Sequence, residues 1–328
     1  ASGEGPDTVL DGVTLDGGGV DVLEGALVYI DGASPTIRNC VFESGHADLR
    51  GGAMFIEESD TIVEDSMFLG NWSGLDAGAV YVGVGGSPNF IRCNFYENYA
   101  DLGDGGAIYI GFNGDIELIE CEFGGNNAEV FGGAICVITR RPTWITDCSF
   151  YSNYAQVGGA FSSRESDPML MGCYFRDNLA CRDGGAVFAY AGAPTLYQCE
   201  FERNLAAAGE GKGCFLIGPG LGLAPYLGGG AYAQNQGEAT IEDCDFYSND
   251  AFTAGGAISV EDVDLTLTDS SLSCNRSGFT GGGVSAVRGF ASIRRCHFAG
   301  NQTGLVEGYG LGGGVALMRY SGFQTAAQ

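Results

Sequence analysis

Three features of the 328-residue sequence predict an all-β fold, a single-stranded parallel β-helix of about eleven rungs that forms one domain over residues 1–328. A glycine motif recurs along nearly the whole chain. A second motif, with an apolar residue, Cys or Ser, and Phe at fixed offsets, alternates with it. No run of ten or more residues keeps a helical apolar period between the Gly pairs and short β-branched segments, so helical repeats are excluded, and the LxxLxLxxN pattern of leucine-rich repeats is absent.

The glycine motif opens weakly as GALVY at 25–29 and continues as GGAMF from 51, AGAVY from 77, GGAIY from 105, GGAIC from 132, GGAFS from 158 and GGAVF from 184. It resumes as GGAYA from 229, GGAIS from 255, GGVSA from 282 and GGVAL from 313. The first two glycines suit a turn that needs positive φ or close backbone approach, and the Ala suits an interior with room for one methyl group.

The second motif places its anchor at Cys40, Ser66, Cys93, Cys121, Cys148, Cys173, Cys199, Cys244, Ser270 and Cys296, with most spacings between 25 and 28 residues. Three residues earlier stands a large apolar side chain, from Ile37, Val63 and Phe90 to Ile293; two residues later stands Phe, replaced once by Leu272. Five residues after the anchor is Asn in nine of ten copies, with Gly45 in the first. A unit of this size cannot bury its own apolar face and must stack on its neighbours. Identical positions then pile up at about 4.8 Å, giving a rod on the order of 50 Å long with apolar, Phe and Ala ladders inside. The repeated Asn is expected to bond the backbone of its own and adjacent coils.

One interval is 45 residues, and its excess of about 19 falls near AGEGKGCFLIGPGLGLAPYLG at 208–228. This segment holds the chain's single lysine and reads as a long loop leaving the rod. Lys212, Phe215, Leu221 and Tyr226 are its candidate partner-binding residues. At the ends, TVLDGVTLDGG at 8–18 already has strand-turn character without a covering helix, and the chain stops after GGGVALMRYSGFQTAAQ. Open terminal rungs predict either a piece of a longer chain or a unit whose ends meet other subunits.

Of twelve cysteines, eight lie on the anchor row and only Cys136, Cys181, Cys214 and Cys274 lie off it, so a buried, weakly polar ladder explains most of them. No CxxC pair occurs, and His46 and His297 are nearly a rod length apart, which argues against a zinc or iron-sulfur centre. Asp76, Asp104 and Asp183 recur just before the glycine motif. Asp76 and Asp104 fall on adjacent rungs and are the candidate catalytic pair if the rod cleaves polysaccharide. No cofactor is required by any motif. Clustered oxygen ligands in a turn suit calcium, with Asp101 and Asp104 of DLGDGG as its candidate ligands. ELIECE at 117–122 reads as one β segment with outward acids. The sequons at Asn71, Asn275 and Asn301 use ladder asparagines, poor glycan acceptors if bound in turns. Tyrosines such as Tyr29, Tyr81, Tyr99 and Tyr109 suit packing on β faces, with sugar stacking as the alternative.

Asp and Glu total 41 against 15 Lys and Arg, for a formal charge of −26, which repels nucleic acid and attracts metal cations and basic partners. No apolar run is long enough for a spanning helix, so direct membrane insertion is not expected. The opening ASGEGPDTVLDG lacks signal-peptide regions, as a processed chain also would.

The pairs GGAIY (105–109) with CNFYENYA (93–100), and GGAIC (132–136) with CSFYSNYA (148–155), resemble the GGA[ILV] and FxxN repeats of chlamydial polymorphic outer-membrane proteins. They are also similar to repeats of other secreted right-handed β-helix proteins, over about residues 20–320. The resemblance implies a right-handed, pectate-lyase-like winding and an extracellular or cell-surface location, at an outer-membrane or periplasmic face. It also implies that the GGA and FxxN positions are scaffold. The leading expectation is a non-enzymatic structural, adhesion or assembly module that meets a protein or glycan partner at the cell surface, through the 208–228 loop or the open ends. The alternative is a polysaccharide-active hydrolase or lyase.

Overall fold

Each coil turns because several of its backbone corners, four in most coils, adopt left-handed φ. In the coil that begins at Gly105 (φ 67), strand Ile108–Ile110 follows the glycine pair and strand Ile116–Ile119 follows a short bend. Glu120 (φ 53) then turns the chain into strand Glu122–Gly124, and Gly125 (φ 65) turns it into strand Asn127–Ala128. The same corners recur in other coils, for example at Asp147 (φ 53) and Ser152 (φ 56). The segment ELIECE is therefore two strands meeting at the Glu120 corner, and not one β segment, because Glu120 takes the left-handed conformation that breaks the strand.

The result is a right-handed parallel β-helix. The computed structural model describes residues 5–17, 22–141, 143–207, 228–304 and 310–318. The Phe strands stack into an 11-stranded sheet and the Asn strands into a 10-stranded sheet. The glycine-motif and apolar-row strands form a 20-stranded sheet, in which Tyr232–Glu242 and Ile258–Thr268 run unbroken through both rows. Pairing is parallel and in register, so Phe95 lies opposite Phe123 and Phe123 opposite Phe150.

Register turns the repeated residues into continuous interior rows. Phe42, Phe68, Phe95, Phe123, Phe150, Phe175, Phe201 and Phe246 are buried, and their successive rings stack with centroids 4.6–4.8 Å apart. Such aromatic pairs contribute about 0.5–1.5 kcal/mol each beyond area burial. Opposite them lie the apolar row and the buried methyls of Ala53, Ala79, Ala107, Ala134, Ala160 and Ala186. The second glycine of the motifs from 51 to 255 meets neighbouring backbone: a methyl on Gly133 would collide with main-chain atoms of Gly159 and Tyr154.

Two polar rows satisfy the corners. Asn126 donates from Nδ2 to the Phe95 carbonyl (2.9 Å) and to Asn153 Oδ1 (3.0 Å), while its own Oδ1 accepts from the Asn98 backbone N–H (3.1 Å) and Nδ2 (2.9 Å). This pattern runs from Asn71 to Asn275. In the anchor row, Cys121 Sγ lies 3.4 Å from the carbonyls of both Phe90 and Ile119. Ser66 keeps the role, donating to the Glu64 carbonyl (2.7 Å) and accepting the Cys40 N–H (3.1 Å). That shared hydrogen bonding explains why Ser replaces Cys there. All eight anchor cysteines are free thiols; among the described cysteines only Cys181 is disulfide-bonded.

Candidate functional site

The recurring aspartates before the glycine motif sit where the chain bulges between the Asn strand and the next coil. Asp76 Oδ1 accepts the Asp104 backbone N–H at 3.2 Å, Asp104 Oδ1 accepts the Phe131 N–H at 3.0 Å, and Asp183 Oδ1 accepts the Gly228 N–H at 3.0 Å. In each case one carboxylate oxygen ties its coil to the following one. Asp76 Oδ2 also lies 3.9 Å from Arg50 Nε, and the Arg50 guanidinium lies over the Tyr81 ring at 5.0 Å.

Burial pushes the Asp104 carboxyl up to about 7, and the nearby charge of Asp76 adds to this, against the lowering effects of the Phe131 N–H and Arg164. Asp76 is raised too, mainly by burial, with the Asp104 N–H and Arg50 opposing. Beside them, Tyr29, Phe55, Tyr81 and Tyr109 form an outward stack with centroids 5.0–5.3 Å apart. Phe55, Tyr81 and Tyr109 are nonetheless buried, and only Tyr29 stands open, at 54% exposure. Burial raises the Tyr81 and Tyr109 hydroxyls above their ordinary values. These tyrosines pack on the β face under the bulge. Their depth leaves little ring surface for a sugar.

The structure does not join Asp101 to Asp104 through a shared contact. Asp101 Oδ1 accepts the Tyr99 hydroxyl at 2.9 Å, whereas Asp104 holds the Phe131 amide. Among the described residues no group of three or more His, Cys, Asp or Glu is placed to hold a metal ion. Lys212, Phe215, Leu221 and Tyr226 lie outside the described residues. The sequon residues Asn71 and Asn275 are fully buried in the Asn row.

A groove absent from the candidate residues lies on the outer face of the apolar-row strands. Asn89, Glu117 and Trp144 face outward on three successive coils in one register row. With Ser87 and Asp115 from the bends leading into the Asn89 and Glu117 strands, and Asp60 from the bend of the preceding coil, they line an open groove of about 380 Å³. Ser87 donates to Asp115, and Arg141 Nη1 lies 3.6 Å from Asp115 Oδ2. Trp144 is 44% exposed. The sequence held a signal for this row: each of its members immediately precedes an interior apolar residue, Phe90, Leu118 or Ile145. What it lacked was the placement of the bends that form the rim.

Against known proteins, residues 12–150 match the family model described as a right handed beta helix region. The class is thus a right-handed β-helix over the matched part, in agreement with the winding of the whole described rod. No curated protein matches the chain. Among solved structures the chain is similar to a TibC-catalysed, hyper-glycosylated TibA fragment at 11% identity. That similarity covers 93% of this chain and 100% of the other, with a TM-score of 0.22, too low to carry a shared geometry. No helix among the described residues is long and apolar enough to cross a membrane.

Proposed function

We propose that the protein is a non-enzymatic scaffold module that presents the outer faces of an acidic β-helix to a partner at the cell surface. The observation that carries this reading is the use of Asp76, Asp104 and Asp183: each spends a carboxylate oxygen on the backbone N–H of the next coil. A carboxylate holding the main chain is a structural group, and the repetition of the contact at three coils matches the scaffold role of the Asn and anchor rows. The charge of −26 favours partners that carry basic surface.

One observation favours the alternative of a polysaccharide-active enzyme. Asp104, held near neutrality beside Asp76, has the proton affinity of a general acid. The two readings separate in one experiment, in which the full chain is assayed on a panel of neutral and acidic polysaccharides for new reducing ends or unsaturated products, and in parallel for saturable binding to cell surfaces. The scaffold reading expects binding and no turnover above that of the Asp76→Asn/Asp104→Asn double variant. Turnover that is lost in either single variant would overturn it.

A further inference from the structure

We infer that the Trp144 groove is a binding site for a cationic side chain, an arginine or lysine from a basic segment of a protein partner. The inference deepens the scaffold reading by naming the chemistry of one contact. Three properties of the groove carry it.

The groove is a built concavity on the flat outer face of a sheet, about 380 Å³ in volume, with Trp144 as one wall. That indole is the largest outward side chain of its row, which runs from Val9, Thr36 and Ile62 through Asn89 and Glu117 to Met169, a run of Thr and finally Ser292. Strand register fixes it there, since Thr143 and Ile145 on either side point inward and are buried. A rigid strand thus holds an aromatic face open to solvent without an aromatic partner among the described residues.

The charge of the rim is also specific. Asp60, Asp115 and Glu117 supply three carboxylates, and among the described residues Arg141 pairs with Asp115. Asp60 and Glu117 make no ion pair among the described residues and are exposed. An indole face flanked by unpaired carboxylates satisfies both needs of a guanidinium or ammonium group: cation–π attraction on one side and charge-assisted hydrogen bonds on the other. A neutral sugar would stack on the same ring but would have to desolvate these carboxylates without neutralising them, and an acidic sugar would be repelled.

Finally, the groove is independent of the residues that hold the rod. None of Asp60, Asn89, Glu117 or Trp144 belongs to the Phe, Asn, anchor or glycine rows. Changes there test binding with little effect on the fold.

The chain has two tryptophans, so Trp72→Phe leaves Trp144 as the sole indole reporter. The probe is acetylated tetra-arginine amide, titrated into the full chain and followed by fluorescence in the Trp72→Phe background and by calorimetry in the parent. The inference expects a saturable change in Trp144 emission. It also expects affinity lower by at least about threefold in Trp144→Ala, a change that leaves net charge untouched, and a loss of similar size in Glu117→Gln. Trp144→Phe should retain part of the affinity. Far-ultraviolet circular dichroism checks that each variant keeps its β signature. Equal binding of tetra-arginine by parent and Trp144→Ala would overturn the inference, since it would reduce the interaction to diffuse attraction by an acidic surface. Quenching of Trp144 by a neutral oligosaccharide and not by the peptide would overturn it as well. Either negative leaves the scaffold reading standing if cell-surface binding persists, so the two failures are distinguishable.

Discussion

The two faces of a single strand row obey different rules. On the inner face of the apolar-row strands the residues are interchangeable in kind: Ile37, Val63, Phe90, Leu118, Ile145, Leu170, Leu196, Ile241 and Leu267 are all buried and apolar. One residue earlier, on the outer face, the row changes character at nearly every coil, from Ile62 through Asn89, Glu117 and Trp144 to Met169 and a run of Thr. The inner face must interlock with the coils above and below, and packing a narrow core admits few solutions. The outer face owes nothing to its neighbours in the stack, so it is where individuality accumulates. In this strand row, residue parity separates the side chains that pack the core from those that do not.

The sharpest way to break this contrast is to disturb a row in which no side chain fits. Gly133→Ala places a methyl against the backbone of Gly159 and Tyr154, which cannot yield as a side chain end could. It should cost the most of any single change considered, with loss of the folded rod or a severely lowered unfolding midpoint in circular dichroism. Next comes the interior. Phe150 stacks on Phe123 at 4.8 Å and on Phe175 at 4.7 Å, and Phe150→Ala should destabilise by about 3–5 kcal/mol through lost burial and a residual cavity. Asn126→Ala should approach that range, since it strands the Phe95 carbonyl and the Asn98 backbone N–H in the buried row and takes one partner from Asn98 Nδ2, at about 1–3 kcal/mol for each group left unpaired, while the Asn126 backbone N–H still reaches Asn153 Oδ1. Denaturant unfolding compares the two.

A smaller and differently shaped effect is expected at the bulge. Asp104 has a folded-state value of about 7, above the value near 4 of an unfolded aspartate. Its contribution to stability is therefore fully present below about pH 4 and is lost as pH rises through 7, by up to about 1.4 kcal/mol for each pH unit. Asp76 is raised as well and adds to the slope with the same sign. Asp104→Asn, which keeps an oxygen for the Phe131 N–H, should flatten the fall between pH 4 and 7. The difference between parent and variant is the quantity to measure, because self-repulsion of the acidic chain also grows over that range.

Legibility from sequence followed the same division. The Phe, Asn, Ala and glycine rows could be read because stacking in register forces one solution at every coil, and repetition within a single chain makes that visible. The left-handed corners were hidden, since Asp65, Arg92, Glu120, Asp147 and Gln198 share positive φ and little chemistry. The aspartates of the bulge showed their period, but their bonding to the next coil depends on how the coil lengths bring Asp104 and Phe131 over the preceding carboxylate. The Trp144 groove was hardest to see. Its residues are individual by nature, and its rim forms only when bends from consecutive coils are laid side by side.

The central claim is that inward rows hold the rod and the outward row is free to bind. The most direct test is the thermal unfolding of Phe150→Ala and Trp144→Ala measured side by side with the parent. The midpoint should fall by several degrees in Phe150→Ala and stay close to the parent in Trp144→Ala, although the latter removes the larger side chain. Equal destabilisation by both would contradict it, because Trp144 would then belong to the scaffold.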